Sequence, residues 1–378
     1  MNRDADTGRM SEWTENQVVK SWLFEIFSYP YDPDPAKFDP QLCKDLYDWK
    51  LESWVAAEDL GFDGVFFSEH HFTPYSISPS PNLLVATLAQ RTSRMNIGVM
   101  ANITAFHNPR RLAEEGAMLD YLTGGRLEVG LGRGVDEPEF IREGVKMEET
   151  RARFEESVAL IQSAWTEPTF TFKGEFYNYD NVSLWPRPLR SELPIWVTAL
   201  SPQTVSWAAR QGFRFTSVFS PTDNMRTIFE QYKKAAAEAG REAEPTDMGV
   251  CRNVFIADSE QEARDLAEPA FDALFAAFKE AAVFHDLDNV PAGYEHYQSF
   301  FRPFAGEDVS FDALIDIGAI CVGRPETVRD QIVSQMEHIG CGNFLNWGSF
   351  GTLTKEQTMR SYHLFGEHVV PALRSLKV

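Results

Sequence analysis

Eight times along the 378-residue chain a short apolar run is followed by a longer amphipathic segment, and this rhythm restricts the fold more than any other feature. Apolar runs at 22–27, 64–67, 95–100, 126–132, 194–200, 213–219, 249–257 and 343–347 read as strands buried in a parallel sheet. The segments at 41–61, 82–93, 109–125, 150–165, 202–212, 222–240, 259–282 and 355–376 read as the helices that follow them. Pro109 opens the third helix, and Gly61 closes the first. Eight such units favour an α/β fold of the (β/α)8 TIM-barrel type over an open doubly wound sheet.

The expected organisation is a polar tail over 1–20 and a single barrel domain over 21–378, with two insertions. Residues about 169–188 alternate apolar and polar and read as a small hairpin. Residues about 283–316 are aromatic-rich and aperiodic; they read as a lid or as an extra helix or two on the barrel end. A net charge of −21 excludes a basic stripe for nucleic acid and disfavours an anionic membrane surface. Cys43, Cys251, Cys321 and Cys341 are scattered, without a CxxC pair, which fits reduced thiols in a cytoplasm. The amino terminus lacks an apolar signal core, and no run approaches the length of a membrane span, so a soluble cytoplasmic protein is expected.

In a barrel the loops after the strands gather at one mouth, where the active sites of this fold lie. "SEHHF", Ser68 to Phe72, follows the second strand. Adjacent His70 and His71 on extended backbone point opposite ways, so one faces the barrel axis. A metal site would need further ligands, and none is apparent at the ends of strands four to eight; the expectation is no metal. His70 working as an acid or base fits better, with Glu69 and His71 beside it, and a structural histidine is the plain alternative.

"GGRLEVGLGRGVDEPEF" carries Gly130, Gly132 and Gly134 at alternate positions, which clears one face of a strand end for a flat ligand. Arg133 between them suits a phosphate or is simply solvated. In "TALSPQT", Ser201 is a natural N-cap before Pro202, and Thr204 lies in the first helical turn. Free backbone N–H groups there favour an anion, so Ser201 and Thr204 read as a phosphate cup closed by Arg133, or as plain caps. Phe27, Tyr29, Phe72, Tyr75, Phe219 and Trp347 crowd the strand ends. A planar ligand with a phosphate tail suits such a mouth, and FMN is such a ligand.

"GFDGVFFSEHHF", "NPRRLAEEGAMLDYLTGGRLEVGLGRG" and "IWVTALSPQTVSWAARQGF" resemble segments of the bacterial luciferase-like flavin monooxygenases, in order, over roughly 22–374. The likeness is to the luciferase α-subunit branch more than to the deazaflavin-dependent reductases. It implies a two-component enzyme, usually a dimer, in which a separate flavin reductase supplies reduced FMN. The barrel then reacts it with O2 through a C4a-peroxyflavin and inserts one oxygen atom into a small organic substrate, an aldehyde or ketone favoured. The resemblance makes His70 the catalytic histidine and Arg133, Ser201 and Thr204 phosphate ligands. It puts Met100–Ala101 where the family has a non-proline cis peptide beneath the flavin, and 283–316 where it has a mobile lid. Gly132 and Leu200 stand where luciferase α has a cysteine and a glutamate, which makes light emission doubtful. The alternatives are a deazaflavin- or NAD(P)H-dependent oxidoreductase on the same fold, and a flavin-binding protein without turnover.

Overall fold

The computed structural model describes residues 18–199, 201–218, 220–281, 290–291, 293–296 and 310–378. Eight parallel strands form its centre: β1 (Lys20–Glu25), β2 (Gly64–Phe67), β3 (Asn96–Val99), β5 (Leu127–Gly132), β8 (Ile195–Thr198), β9 (Arg214–Val218), β10 (Met248–Ile256) and β12 (Asn343–Trp347). Each pairs with the next, and β12 returns to β1 with Trp22 opposite Leu345, so the barrel closes. Around it lie α1 (Pro40–Asp59), α2 (Pro81–Ala89), α3 (Pro109–Leu122), α4 (Glu137–Glu143), α5 (Thr150–Thr166), α6 (Pro202–Gln211), α7 (Thr222–Glu238) and α8 (Glu260–Ala281). After them come α9 (Phe311–Asp316), α10 (Pro325–Ile339), α11 (Lys355–Leu364) and α12 (Val370–Ser375), the last two joined by a π-helical turn.

Large and small residues alternate across the barrel interior. Trp22 stacks on Phe66 at 4.9 Å, and Phe66 meets Trp196 edge-on at 5.3 Å. Glycines on the adjoining strands make the room: a Cβ on Gly64 would sit 2.3 Å from the Trp22 ring, and one on Gly98 2.7 Å from Phe66. The buried indoles are also satisfied, Trp22 donating to Asn343 and Trp196 to Glu128. The larger apolar core lies outside the strands, beneath the helices.

Three departures from the sequence reading have local causes. The first strand spans 20–25 rather than 22–27, because Ile26 and Phe27 leave the ladder while remaining buried. The third strand breaks at a cis Met100–Ala101 bond and resumes as β4 (Asn102–Ile103), which pairs only with the far end of β5. An unforeseen strand, β11 (Ile320–Gly323), pairs with the far end of β10 beyond the barrel and leads into α10. The hairpin is present as β6 (Phe170–Lys173) against β7 (Asn178–Val182). The tail over 1–17, Leu200, Phe219 and most of 283–316 lie outside the described residues; the end of that insertion forms α9, whose Phe311 packs 5.9 Å from Phe271 of α8.

Candidate active site

The sequence turns sharply after β2, and its two histidines separate as expected for extended backbone. The Nδ1 of His70 lies 2.6 Å from the Tyr75 hydroxyl, 3.0 Å from Asp136 and 3.4 Å from Glu139. Tyr75 in turn donates its hydroxyl proton to Asp136. Asp136 occupies the N-cap position of α4, yet its side chain turns to Tyr75 and His70 instead of capping the helix. Glu139, one turn on, also accepts from the His71 backbone N–H at 2.6 Å and so ties α4 to the β2 loop. Burial disfavours a charged imidazole, but the two carboxylates outweigh it and lift the His70 pKa to about 10. Tyr75, buried beside the same carboxylates, is pushed well above its ordinary value and stays a proton donor.

The expectation that no acidic ligands lie near the strand ends is corrected here. Asp136 and Glu139 follow the fourth barrel strand, and their donor oxygens and His70 Nδ1 lie within 4.8 Å of one another. They stood in the glycine motif as "VDEPEF" but were given no role, because their contact with His70 depends on how β2 and β5 are placed by β3 between them. Such a donor set can hold a divalent cation, so the argument against a metal loses its premise.

A second cluster sits next door. Glu69 is fully buried and accepts from His71 at 3.0 Å, from His107 at 2.8 Å and from the Ile103 backbone N–H at 3.1 Å. Burial alone would raise its carboxyl pKa; the bonds from His107 and His71 overcome this and hold it below the ordinary range. His107 is lifted correspondingly: burial opposes its charge, and the Glu69 carboxylate prevails. His107 was absent from the sequence reading, since nothing in "AFHNP" marks it as a partner of a residue 38 positions earlier.

The glycine motif behaves differently from its sequence reading. A Cβ on Gly130 would lie 1.8 Å from the Val99 carbonyl oxygen, one on Gly132 3.0 Å from Ala101, and one on Gly134 2.7 Å from Phe140. The cleared face is filled by the protein's own chain around the cis bond. Gly130 is thereby brought against Met100 and Gly132 against Ala101, both buried. Arg133 donates to Thr150 at 3.2 Å and to the Gly293 carbonyl at 3.4 Å, and covers the Tyr294 ring at 4.5 Å. Its Nε is buried without a hydrogen-bond partner.

Ser201 caps α6 by accepting from the Thr204 N–H at 3.2 Å, and the two hydroxyls meet at 2.9 Å. The guanidinium that touches this cap is Arg151, donating to Thr204 at 3.0 Å; the sequence reading had assigned that closure to Arg133. Both arginines converge through Thr150, the first residue of α5 and the neighbour of Arg151. A cation in the first turn of a helix opposes the helix dipole, and this was the available signal for Arg151.

An aromatic wall runs from this site into the barrel. Tyr75 lies 5.1 Å from Phe278 of α8, Phe278 6.1 Å from Trp347, and Trp347 5.7 Å from Phe24. Phe72 is not part of it: it is 57% exposed, with φ of 61°, beneath Arg142. Phe27 also faces away from the mouth, packing on Tyr47 and Trp54 under the helices, while Tyr29 lies against Tyr31 and Phe38.

Residues 44–341 match the family described as luciferase-like monooxygenase. The chain belongs to that family. Luciferase-like relatives include the oxygenase component of the flavin-dependent trigonelline monooxygenase of Acinetobacter baylyi, 26% identical over 90% of this chain and 93% of that one. The alkanal monooxygenase alpha chain of Aliivibrio fischeri is 25% identical over 86% and 93%. Among solved structures, monooxygenase RslO1 of Streptomyces bottropensis superposes with a TM-score of 0.79 at 27% identity, covering 93% of this chain and 99% of that one. The oxygenating constituent of 3,6-diketocamphane monooxygenase of Pseudomonas putida, solved with FMN, shares the fold with a TM-score of 0.77 at 22% identity, over 94% and 98%.

Proposed function

We propose that this luciferase-like monooxygenase is the oxygenase component of a two-component system in the cytoplasm. It takes reduced FMN from a separate flavin reductase and, with O2, places one oxygen atom in a small organic substrate, an aldehyde or ketone favoured. The observation that carries the reading is Arg151 on the Ser201–Thr204 helix start, with Arg133 joined to the next residue, Thr150, and a buried guanidinium nitrogen of Arg133 left unpartnered. Two guanidinium groups, two hydroxyls and a helix N-terminus together match a phosphate dianion.

Bound reduced flavin would supply the reaction with O2 and the transferable oxygen. This chain supplies the surroundings. Met100, Ala101 and Gly132 form the buried floor on which a flat ring would rest, and Tyr75, Phe278, Trp347 and Phe24 make an apolar wall that excludes water. His70, charged at neutral pH and held through Nδ1, has Nε2–H as a proton donor to oxygen that gains negative charge during transfer. Glu69 and His71 act one step removed, fixing the loop that carries His70. The carbonyl preference rests on relatives named for alkanals and for Baeyer–Villiger chemistry on a diketocamphane.

A homodimer fits the surface. Leu83 of α2 and Met118, Tyr121 and Leu122 of α3 are exposed on neighbouring helices, an apolar face that a second copy would cover. Anaerobic titration with reduced FMN tests the cofactor cup. Arg133→Ala and Arg151→Ala should each weaken binding at least about tenfold, or ~1.4 kcal/mol; an unchanged Kd in both would rule the cup out.

A further inference from the structure

The outer face of β10 carries a polar cluster that oxygen transfer does not use. Arg252 is 1% exposed and lies between Val250 and Val254, both part of the core beneath the helices. Its Nε donates to Gln335 of α10 at 2.9 Å and its Nη1 to the Cys251 carbonyl at 3.2 Å, while Nη2 has no partner. Among the described residues no carboxylate pairs with it. The ionisable groups acting on it are the thiols of Cys321, Cys251 and Cys341. Burial raises all three, Cys321 to about 11 and Cys341 to about 12, so they are neutral at physiological pH. An arginine stays protonated where a lysine would shed its charge, and a buried cation without a counter-charge is costly.

The register partner of Arg252 on β12 is Asn346, fully buried, with both its carboxamide oxygen and nitrogen unpartnered. A Cβ built on Gly348 would lie 2.7 Å from Asn346 Oδ1 and 2.6 Å from the Tyr362 ring, so Tyr362 borders the same place. The Tyr362 hydroxyl is itself buried without a hydrogen-bond partner, but the charge acting on it is the Glu25 carboxylate, so it belongs to the β1 side. Of the three bare atoms of Arg252 and Asn346, two can donate a hydrogen bond, and one of these belongs to a permanent cation.

We propose that Arg252 and Asn346 form an internal site for a small monovalent anion of halide type. One charge balances one guanidinium, whereas a phosphate or sulfate dianion would bury a net negative charge. The Asn346 oxygen is the single acceptor of the set and is served by an accompanying water. Filling the site ties β10 and α10 to β12, which carries Trp347.

Crystals grown in sodium bromide test this on the unaltered protein: a bromine anomalous peak is expected within hydrogen-bonding reach of Arg252 Nη2. In parallel, the thermal midpoint should rise as chloride replaces gluconate at constant ionic strength. The rise should persist in Arg151→Ala, which separates this site from the phosphate cup, and vanish in Arg252→Met. Density for water without anomalous signal, or equal chloride dependence in Arg252→Met and the parent, would overturn the proposal. If Arg252→Met does not fold, the bromide map alone decides.

Discussion

The two adjacent imidazoles after β2 have acquired different surroundings. His70 meets two carboxylates and a phenol, with no second side-chain cation paired to them among the described residues. His71 meets one carboxylate, Glu69, which also serves His107 and a backbone N–H. One carboxylate spread over three donors fixes geometry, whereas two around a single ring hold a proton. Extended backbone explains why the neighbours face apart; the two carboxylates beside it explain why His70 is lifted to about 10.

The largest expected contrast is catalytic. His70→Ala should lower product formation by about 10²–10⁴-fold with reduced-FMN affinity retained, while His71→Ala should cost less than about tenfold. Equal losses in steady-state assays would collapse the distinction between the rings. The next effect is on pH. With His70 raised, its charged form persists through and above the ordinary histidine range, and activity should fall as pH climbs through about 10. Asp136→Asn removes a stabilising charge and should move that fall downward by about one to three pH units; an unmoved limb would mean that another group reports there.

The Glu69 side of the comparison is read in stability. Glu69→Gln should destabilise the fold by about 1–3 kcal/mol in denaturant unfolding, since three donors lose a charged acceptor. Because the native carboxyl is held below its ordinary value, its contribution is whole above that value and fades as pH drops through the lowered one. The variant should therefore lose part of the parent's acid sensitivity. The smallest effect belongs to His107→Gln, about 1 kcal/mol or less, because His71 and Ile103 continue to bind Glu69.

The barrel strands were readable because each is a run buried on both faces, and β2 and β12 match their predicted limits. Strand β11 escaped because four residues that pair only beyond the barrel carry no period of their own. In the site, residues set by local backbone were legible: His70 at a strand end, Ser201 at a helix cap, Thr204 one turn on. Those set by tertiary approach were not. Arg151, Asp136, Glu139, His107 and Phe278 reach the site from other segments, and composition contains no measure of that approach. The alternate glycines show the same limit, since the spacing revealed a cleared face but not that the cis turn fills it.

The most direct test of the central claim is stopped-flow absorbance after mixing protein and reduced FMN with aerated buffer. An oxygenase that shields bound flavin should delay the return of oxidised-FMN absorbance well beyond that of free reduced FMN, and His70→Ala should keep the delay while losing product. Reoxidation at the rate of free FMN, with the flavin shown to be bound, would contradict the account.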